Sequence, residues 1–239
     1  MPPPAGRALP AAFPTAARRP PPFMDFEQAR FNMVEQQIRT WEVLDPTVLD
    51  LLSSVRREDF VPHAHRALAF ADLEIPLGHG ESMWAPKLEA RAVQELGLKR
   101  GESVLEIGTG SGYLTALLAS LAGHVTSVEI HSALAREARA KLAAAAFDNV
   151  DLHVGDGARG FGSEAYDAIV LAGSTPVLHD AFCKQLRPGG RVFAIVGDAP
   201  AMTARLYRWT APGACVMAPL FETVVKPLVN APEPARFTF

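Results

Sequence analysis

The residues best suited to chemistry in this sequence stand in three short segments that combine glycines with acids. They are GTGSG (108–112), Glu129 and GDG (155–157). Glycines let the first segment turn tightly and approach a ligand closely, and a helix N-terminus is predicted directly behind it. Glu129 can accept hydrogen bonds from ribose hydroxyls, and Asp156 can accept one from the exocyclic amine of adenine. Together the three segments predict a binding site for a ligand that contains a nucleoside.

Alternating strands and helices must position these segments. Apolar runs between turn residues predict seven strands, at 103–107, 124–130, 150–155, 166–173, 191–197, 204–210 and 214–221. Helical periodicity predicts helices at 88–96, 114–121, 132–147 and 176–186. Strands that are buried on both faces and joined by helices form a mostly parallel, doubly wound α/β sheet, which binds ligands at the carboxyl ends of its strands. The three segments follow the first three strands, so we expect them to meet at that edge.

Local signals mark several boundaries. Asp45 followed by Pro46 is typical of a helix start, and Gly97 is typical of a helix end. The segment RPGG (187–190) predicts a turn before the fifth strand. The segment APG (211–213) predicts a turn that joins the last two strands into a hairpin at one edge of the sheet.

The spacing of the glycines separates two kinds of nucleotide site. A dinucleotide fingerprint reads GxGxxG, but in GTGSGY the sixth position is Tyr113 and the glycines follow GxGxG. With an acid that closes the second strand and GDG after the third, this pattern resembles the S-adenosylmethionine site of class I methyltransferases. The resemblance implies a Rossmann-like, seven-stranded core.

The segment after the fourth strand bears on the atom that is methylated. Enzymes that methylate ring or amide nitrogens resemble one another in an Asn/Asp-Pro-Pro-aromatic segment at this place. Here the sequence reads AGSTP (172–176). The sequence therefore favours an oxygen acceptor over a nitrogen acceptor.

Between about Met33 and Leu220 the sequence resembles the protein-L-isoaspartate O-methyltransferase family. The resemblance rests on MVEQQIR (33–39), REDFVP (57–62), LEIGTGSGY (105–113), VEI (128–130), GDG (155–157), YDAIV (166–170), QLRPGGR (185–191), VG (196–197) and APL (218–220). It implies methyl transfer from S-adenosylmethionine to the α-carboxylate of isoaspartyl residues in damaged proteins, with S-adenosylhomocysteine as product. It assigns cofactor contacts to Gly108, Gly110, Gly112, Glu129, Asp156 and Gly157.

One departure from the family lies on the substrate side. The family segment runs approximately Gly-Gln-Thr-Ile-Ser-x-Pro, with its serine beside the reacting carboxylate, whereas this chain reads GESMWAP (80–86). Trp84 therefore stands in the place of the serine, and we assign Ser82, Trp84 and Pro86 to the substrate side. An inward indole predicts a narrowed or stacking pocket, whereas an indole packed under the N-terminal helices leaves isoaspartyl chemistry intact. No catalytic residue is assigned, because an ionised carboxylate needs no general base.

Three functions remain open at this point. The first is isoaspartyl repair, and the second is a divergent enzyme that methylates a different acid, peptide or metabolite because of Trp84. The third is a non-catalytic module that retains the cofactor. The presence of both Glu129 and Asp156 argues against this last function.

Composition limits the partners. The chain has 239 residues, 49% of them hydrophobic, and a net charge of −3. It contains no apolar run near the roughly 20 residues of a membrane span, and no basic field to hold a phosphate backbone. We therefore expect a protein or peptide partner or a small acid, and no membrane, nucleic acid or metal. The sequence does not specify the oligomeric state.

Three regions are predicted along the chain. Residues 1–23 form a disordered tail rich in Pro, Ala and Arg, residues 24–86 form a helical segment with the substrate-side loop, and residues 87–239 form the cofactor-binding core with a C-terminal extension. Cys183 and Cys215 are far apart in sequence, so we expect unpaired core cysteines and a reducing compartment. With the family resemblance, this predicts a cytoplasmic location.

Overall fold

A computed structural model describes residues 25–234 of the chain, so the predicted tail at 1–23 lies outside the described residues. Its centre is a seven-stranded sheet with the strand order β5-β4-β3-β6-β7-β8-β9. Its strands are β3 (Ser103–Ile107), β4 (His124–Glu129), β5 (Val150–Val154), β6 (Tyr166–Thr175), β7 (Leu186–Asp198), β8 (Ala201–Ala211) and β9 (Ala214–Glu222). Neighbouring strands from β5 to β7 are parallel, and β8 and β9 are antiparallel to their neighbours. The predicted fold class and edge hairpin are confirmed.

Helices cover both faces of the sheet. They are α1 (Phe26–Met33), α2 (Pro46–Ser54), α3 (Pro86–Leu96), α4 (Tyr113–Leu121), α5 (Ser132–Ala144) and α6 (Asp180–Lys184), with short π or 3₁₀ segments at Val34–Ile38, Arg39–Trp41, Arg57–Asp59 and His63–Leu68. A separate antiparallel hairpin, β1 (Ile75–Gly78) and β2 (Glu81–Met83), precedes α3. The predicted substrate-side loop thus contains a strand, β2, whose three residues are too few for a visible alternation in the sequence.

Residue type explains where these helices begin and end. The Asp45 side chain accepts a hydrogen bond from the backbone N–H of Thr47, and Pro46 occupies the first turn of α2, as predicted. Gly97 ends α3 in the left-handed conformation, with φ of 53°. These local signals therefore place both boundaries correctly.

The hydrophobic core lies on the two faces of the sheet as two clusters. Along β3, Val104 belongs to the cluster under α1 to α5, whereas Leu105 and Ile107 belong to the cluster that includes Phe182 of α6. Successive side chains of a strand point to opposite faces, so each buried strand contributes to both clusters. This is why the strands read as continuous apolar runs.

Two predicted elements near residue 180 were wrong in extent. The helix predicted over 176–186 covers only Asp180–Lys184, because β6 continues to Thr175 and His179 caps the helix with its side chain. The turn predicted at 187–190 lies within β7 as a bulge, since Leu186 pairs with Tyr166 and Arg191 pairs with Ala168. Pairing with the neighbouring strand thus extends both strands beyond their apolar runs.

The prediction of two unpaired cysteines was also wrong. Cys183 of α6 and Cys215 of β9 form a disulfide bond, with their Cα atoms 6.0 Å apart. The edge hairpin brings β9 beside α6, which places residues distant in sequence within disulfide range. Within residues 25–234, no helix has the length and apolar character needed to cross a membrane.

Candidate functional site

The carboxyl ends of β3, β4 and β5 meet at one edge of the sheet and form a cleft. Five of the six predicted cofactor residues line this cleft: Gly108, Gly110, Glu129, Asp156 and Gly157. Parallel strands end at the same edge, which explains why segments separated by up to fifty residues come together. Their roles toward a cofactor remain predictions at this stage.

The glycine loop after β3 needs its glycines. Gly108, Gly110 and Gly112 have φ angles of 96°, 52° and 85°, in the region where side chains are strained. The backbone N–H of Gly110 donates to Glu129 Oε2 over 2.8 Å, which ties this loop to the end of β4.

Gly112 is the predicted cofactor residue that does not border the cleft. A Cβ atom at this position would lie 3.2 Å from the Cβ of Ala138 and 3.5 Å from the side chain of Leu142. Both neighbours belong to α5, so this glycine allows the loop to pack closely against that helix. Gly112 therefore has a packing role in the structure, and the cofactor contact predicted for it stays a prediction.

The two acids of the cleft are already partly engaged. Glu129 is buried and accepts hydrogen bonds from the backbone N–H groups of Gly110 (2.8 Å) and His131 (2.9 Å). Asp156 is exposed and accepts from Ala158 N–H at 3.0 Å and from Asn230 Nδ2 at 2.9 Å. Each carboxylate has about four lone-pair sites, so both keep acceptor capacity for a ligand.

A third acid, Glu106, lies beneath the glycine loop. Its Oε2 atom accepts hydrogen bonds from Thr115 Oγ1 (2.5 Å) and Ser127 Oγ (2.6 Å), while Oε1 has no partner. Burial raises the pKa of Glu106 to about 8. Glu106 is not among the predicted site residues, although an acid within the apolar run SVLEI (103–107) is a signal that could have found it.

The substrate-side segment borders the same cleft. Ser82 and Trp84 line it, but Pro86 does not; Pro86 instead occupies the first turn of α3. The Ser82 hydroxyl donates to Glu74 Oε2 over 2.7 Å. Trp84 is 6% exposed and belongs to the core cluster under the N-terminal helices. The indole is therefore a packed wall of the cleft.

Arg57 holds this wall in place. It is fully buried, it donates to the backbone carbonyl groups of Trp84 (2.6 Å) and Ala69 (2.8 Å), and it forms an ion pair with Glu89. Its guanidinium also stacks over the ring of Tyr113, 4.9 Å from the ring centre. Burial lowers the pKa of Arg57 to about 10, so the side chain stays charged at neutral pH. Arg57 lies in the segment REDFVP (57–62), which is part of the family resemblance, but only the structure shows its contacts with Trp84 and Glu89.

A strap formed by residues 223–231 crosses the cleft after β9. Its backbone pairs with the end of β6, where Ser174 N–H donates to Lys226 O (3.0 Å) and Leu228 N–H donates to Ser174 O (2.8 Å). Lys226 and Leu228 line the cleft. Residues 223–231 of the predicted C-terminal extension therefore wrap over the domain.

Comparisons with known proteins agree with this geometry. The family model of protein-L-isoaspartate(D-aspartate) O-methyltransferase matches residues 28–232. A protein-L-isoaspartate O-methyltransferase 1 of Rhodopseudomonas palustris (strain HaA2) is 45% identical over 197 residues, covering 80% of each chain. A protein-L-isoaspartate O-methyltransferase 2 of Archaeoglobus fulgidus is 37% identical over 180 residues, covering 74% of this chain and 82% of that protein.

Two solved structures share the fold. One protein-L-isoaspartate O-methyltransferase superposes with a TM-score of 0.73 at 24% identity, and the match covers 85% of this chain and 65% of that chain. A putative enzyme of the same name from Plasmodium falciparum, in complex with S-adenosyl-L-homocysteine, has a TM-score of 0.72 at 17% identity, and the match covers 86% and 98%. The predicted family is confirmed: the chain belongs to the protein-L-isoaspartate(D-aspartate) O-methyltransferase family, whose enzymes depend on S-adenosylmethionine.

Proposed function

We propose that this protein transfers a methyl group from S-adenosylmethionine to the carboxylate of isoaspartyl residues in proteins or peptides. The observation that carries the proposal is the single cleft that joins the glycine loop, Glu129 and Asp156 to the substrate-side residues Ser82 and Trp84. Family membership does not favour the two alternatives, a different acceptor or a non-catalytic module.

The residues of the cleft fit the cofactor. Glu129 would accept hydrogen bonds from the ribose hydroxyls, and Asp156 would accept one from the adenine amine. Gly108 and Gly157 border the cleft, and the lack of a side chain at Gly157 allows close packing there, since a Cβ at Gly157 would lie 2.6 Å from Ile107, which also lines the cleft. When bound, S-adenosylmethionine supplies a methyl group carried on a positively charged sulfur.

The protein's own contribution is to orient the acceptor and exclude water. A carboxylate with a pKa of about 4 is ionised at neutral pH, so no side chain has to remove a proton. The apolar wall formed by Trp84 and Leu228 would desolvate the acceptor, and Arg57 would hold that wall through the Trp84 carbonyl. The packed indole agrees with the alternative in which isoaspartyl chemistry is retained.

The test is methyl transfer from labelled S-adenosylmethionine to an isoaspartyl peptide, run beside its normal aspartyl twin. We expect transfer to the isoaspartyl peptide alone. Calorimetry on the same samples should show that Glu129→Gln weakens cofactor binding by roughly 10- to 100-fold, the loss expected for charge-assisted hydrogen bonds. The exposed control Asp148→Asn should bind the cofactor like the wild type. Cofactor binding without transfer to either peptide would refute the proposed acceptor.

We also propose a cytoplasmic location, which the family resemblance implies. The disulfide between Cys183 and Cys215 is an observation against it, because disulfides are rare where thiols are kept reduced. Cell fractionation with thiol trapping tests both points. Recovery of the protein outside the cytoplasmic fraction would contradict the proposal.

A further inference from the structure

The cleft is strongly acidic on its acceptor side. Glu74, Glu81 and Glu89 line it beside Ser82 and Trp84, in addition to the two acids assigned to the cofactor, and the charge of Glu89 is balanced by its ion pair with Arg57. The only Lys or Arg among the described residues that line the cleft is Lys226 of the strap. An anionic acceptor that enters this cleft therefore meets repulsion from two carboxylates and attraction from one ammonium group.

Lys226 is held in position, but its ammonium group does not use all of its hydrogen-bond donors. Its Nζ atom lies 2.5 Å from Glu81 Oε1 and donates to the Gly80 carbonyl over 3.0 Å. The same carboxylate oxygen lies 3.3 Å from His131 Nε2. An ammonium group has three N–H donors, and Lys226 is 43% exposed, so one donor remains for a ligand.

The two positions on the acceptor side where a hydroxyl group is expected do not supply a hydrogen-bond donor for an acceptor carboxylate. Trp84 stands where the family resemblance places a serine, and the hydroxyl of Ser82 is already donated to Glu74. The other hydroxyl residues that line the cleft, Thr109 and Ser111, belong to the glycine loop, whereas Lys226 is the positively charged donor among the described residues of the lining.

We propose that Lys226 is the specificity-determining residue that binds the acceptor carboxylate, with its ammonium group oriented by a hydrogen bond to the side-chain oxygen of Glu81. This inference rests on the proposed function, because it requires an anionic acceptor. Binding one carboxylate oxygen leaves the other free to react. The methyl ester produced is uncharged, so it loses the ion pair with Lys226, which favours product release.

The test compares three variants in steady-state methyl transfer to an isoaspartyl peptide. Lys226→Gln should raise the KM for the peptide by roughly 10- to 100-fold, with the KM for S-adenosylmethionine little changed. Lys226→Arg should recover most of the loss, because it keeps the charge. Lys99→Gln, an exposed lysine between α3 and β3, is the matched control and should behave like the wild type.

Glu81→Gln tests whether Lys226 binds the acceptor or only joins the strap to β2 through its ion pair with Glu81. The amide oxygen that this substitution introduces could still accept a hydrogen bond from Lys226, while the competing negative charge is lost. If Lys226 binds the acceptor, the KM for the peptide should be unchanged or lower in Glu81→Gln. Equal increases of the KM in Glu81→Gln and Lys226→Gln would overturn the inference.

A binding measurement distinguishes failure of this inference from failure of the proposed function. Fluorescence anisotropy of a labelled isoaspartyl peptide on the enzyme loaded with S-adenosylhomocysteine requires no turnover. Weaker binding to Lys226→Gln than to the wild type supports binding of the acceptor by Lys226, even if the wild type does not methylate the peptide. Equal binding to both proteins, or no binding to the wild type, overturns it.

Discussion

At the scale of single residues, Glu106 is a buried acid with a strongly raised pKa. It is fully buried, and burial raises its pKa from 4.5 to about 8. The folded protein therefore holds a proton that the unfolded chain releases as the pH rises above 4.5. Because the native state binds more protons in this window, the free energy of unfolding should be highest below it and should fall as the pH rises towards 8.

This fall in the free energy of unfolding with rising pH can be measured. We expect the wild type to lose stability between about pH 5 and about pH 8 with a slope of up to about 1.4 kcal/mol per pH unit from this group. Glu106→Gln should remove that contribution, and the exposed control Glu164→Gln should retain it. Urea unfolding across this range provides the measurement. Identical slopes in the wild type and Glu106→Gln would contradict the assignment.

Trp84 supports the fold as well as bordering the cleft. Because the indole is 6% exposed and lies in the main core cluster, Trp84→Ser should lower the free energy of unfolding by about 3 to 5 kcal/mol. Trp84→Phe should cost less, because most of the apolar contact remains. Trp209→Ser, which removes a partly exposed indole on β8, is the matched control, with a smaller loss expected in urea unfolding. A loss in Trp84→Ser no larger than the control's would show that the indole is not packed.

At the scale of elements, the strap and the end of β6 form one side of the cleft. Gly173 allows their close approach, since a Cβ there would lie 2.8 Å from Leu228 Cδ2 and 3.2 Å from the Leu228 backbone nitrogen. Such distances are too short for a side chain, so the strap would have to move.

Gly173→Val should therefore displace the strap from the cleft. We expect weaker binding of S-adenosylmethionine by calorimetry and a higher KM for the acceptor, because Leu228 and Lys226 move together. The double variant Gly173→Val with Leu228→Ala should recover part of the loss, since it removes the atoms that clash. If Gly173→Val binds cofactor and acceptor like the wild type, the strap does not form the wall of the cleft.

At the scale of the whole molecule, the disulfide ties the edge of the sheet to the helix on its second face. Cys183 and Cys215 are separated by 32 residues in sequence. A cross-link that closes a loop of this length stabilises the folded state by about 3 to 4 kcal/mol in the chain-entropy model. Replacing both cysteines by serine should lower the free energy of unfolding by that amount.

Thiol titration under native and denaturing conditions provides the control. The unreduced protein should show no free thiol from these two residues in either condition, and reduction should lower its stability to that of the double serine variant. Two thiols titrating in the unreduced, unfolded protein would refute the disulfide.

Several features of the whole could be predicted from the sequence because their causes are local. Strand runs, the cap at Asp45 and the stop at Gly97 depend on neighbours a few residues away. The convergence of the glycine loop, Glu129 and Asp156 followed from one general rule, that parallel strands end at the same edge of a sheet. Family-specific motifs added the class of chemistry, and the comparisons confirm the family.

The remaining features depend on contacts between residues that are distant in sequence, which a local pattern does not encode. Only the tertiary structure decided that Gly112 packs on α5, that Arg57 holds the carbonyl of Trp84, and that the last strands lie in the order β8-β9. It also decided the pairing of the two cysteines and the place of Lys226 beside Glu81. The sequence by itself predicted where a cofactor would bind, whereas the folding of the strap over the cleft placed Lys226 beside Glu81.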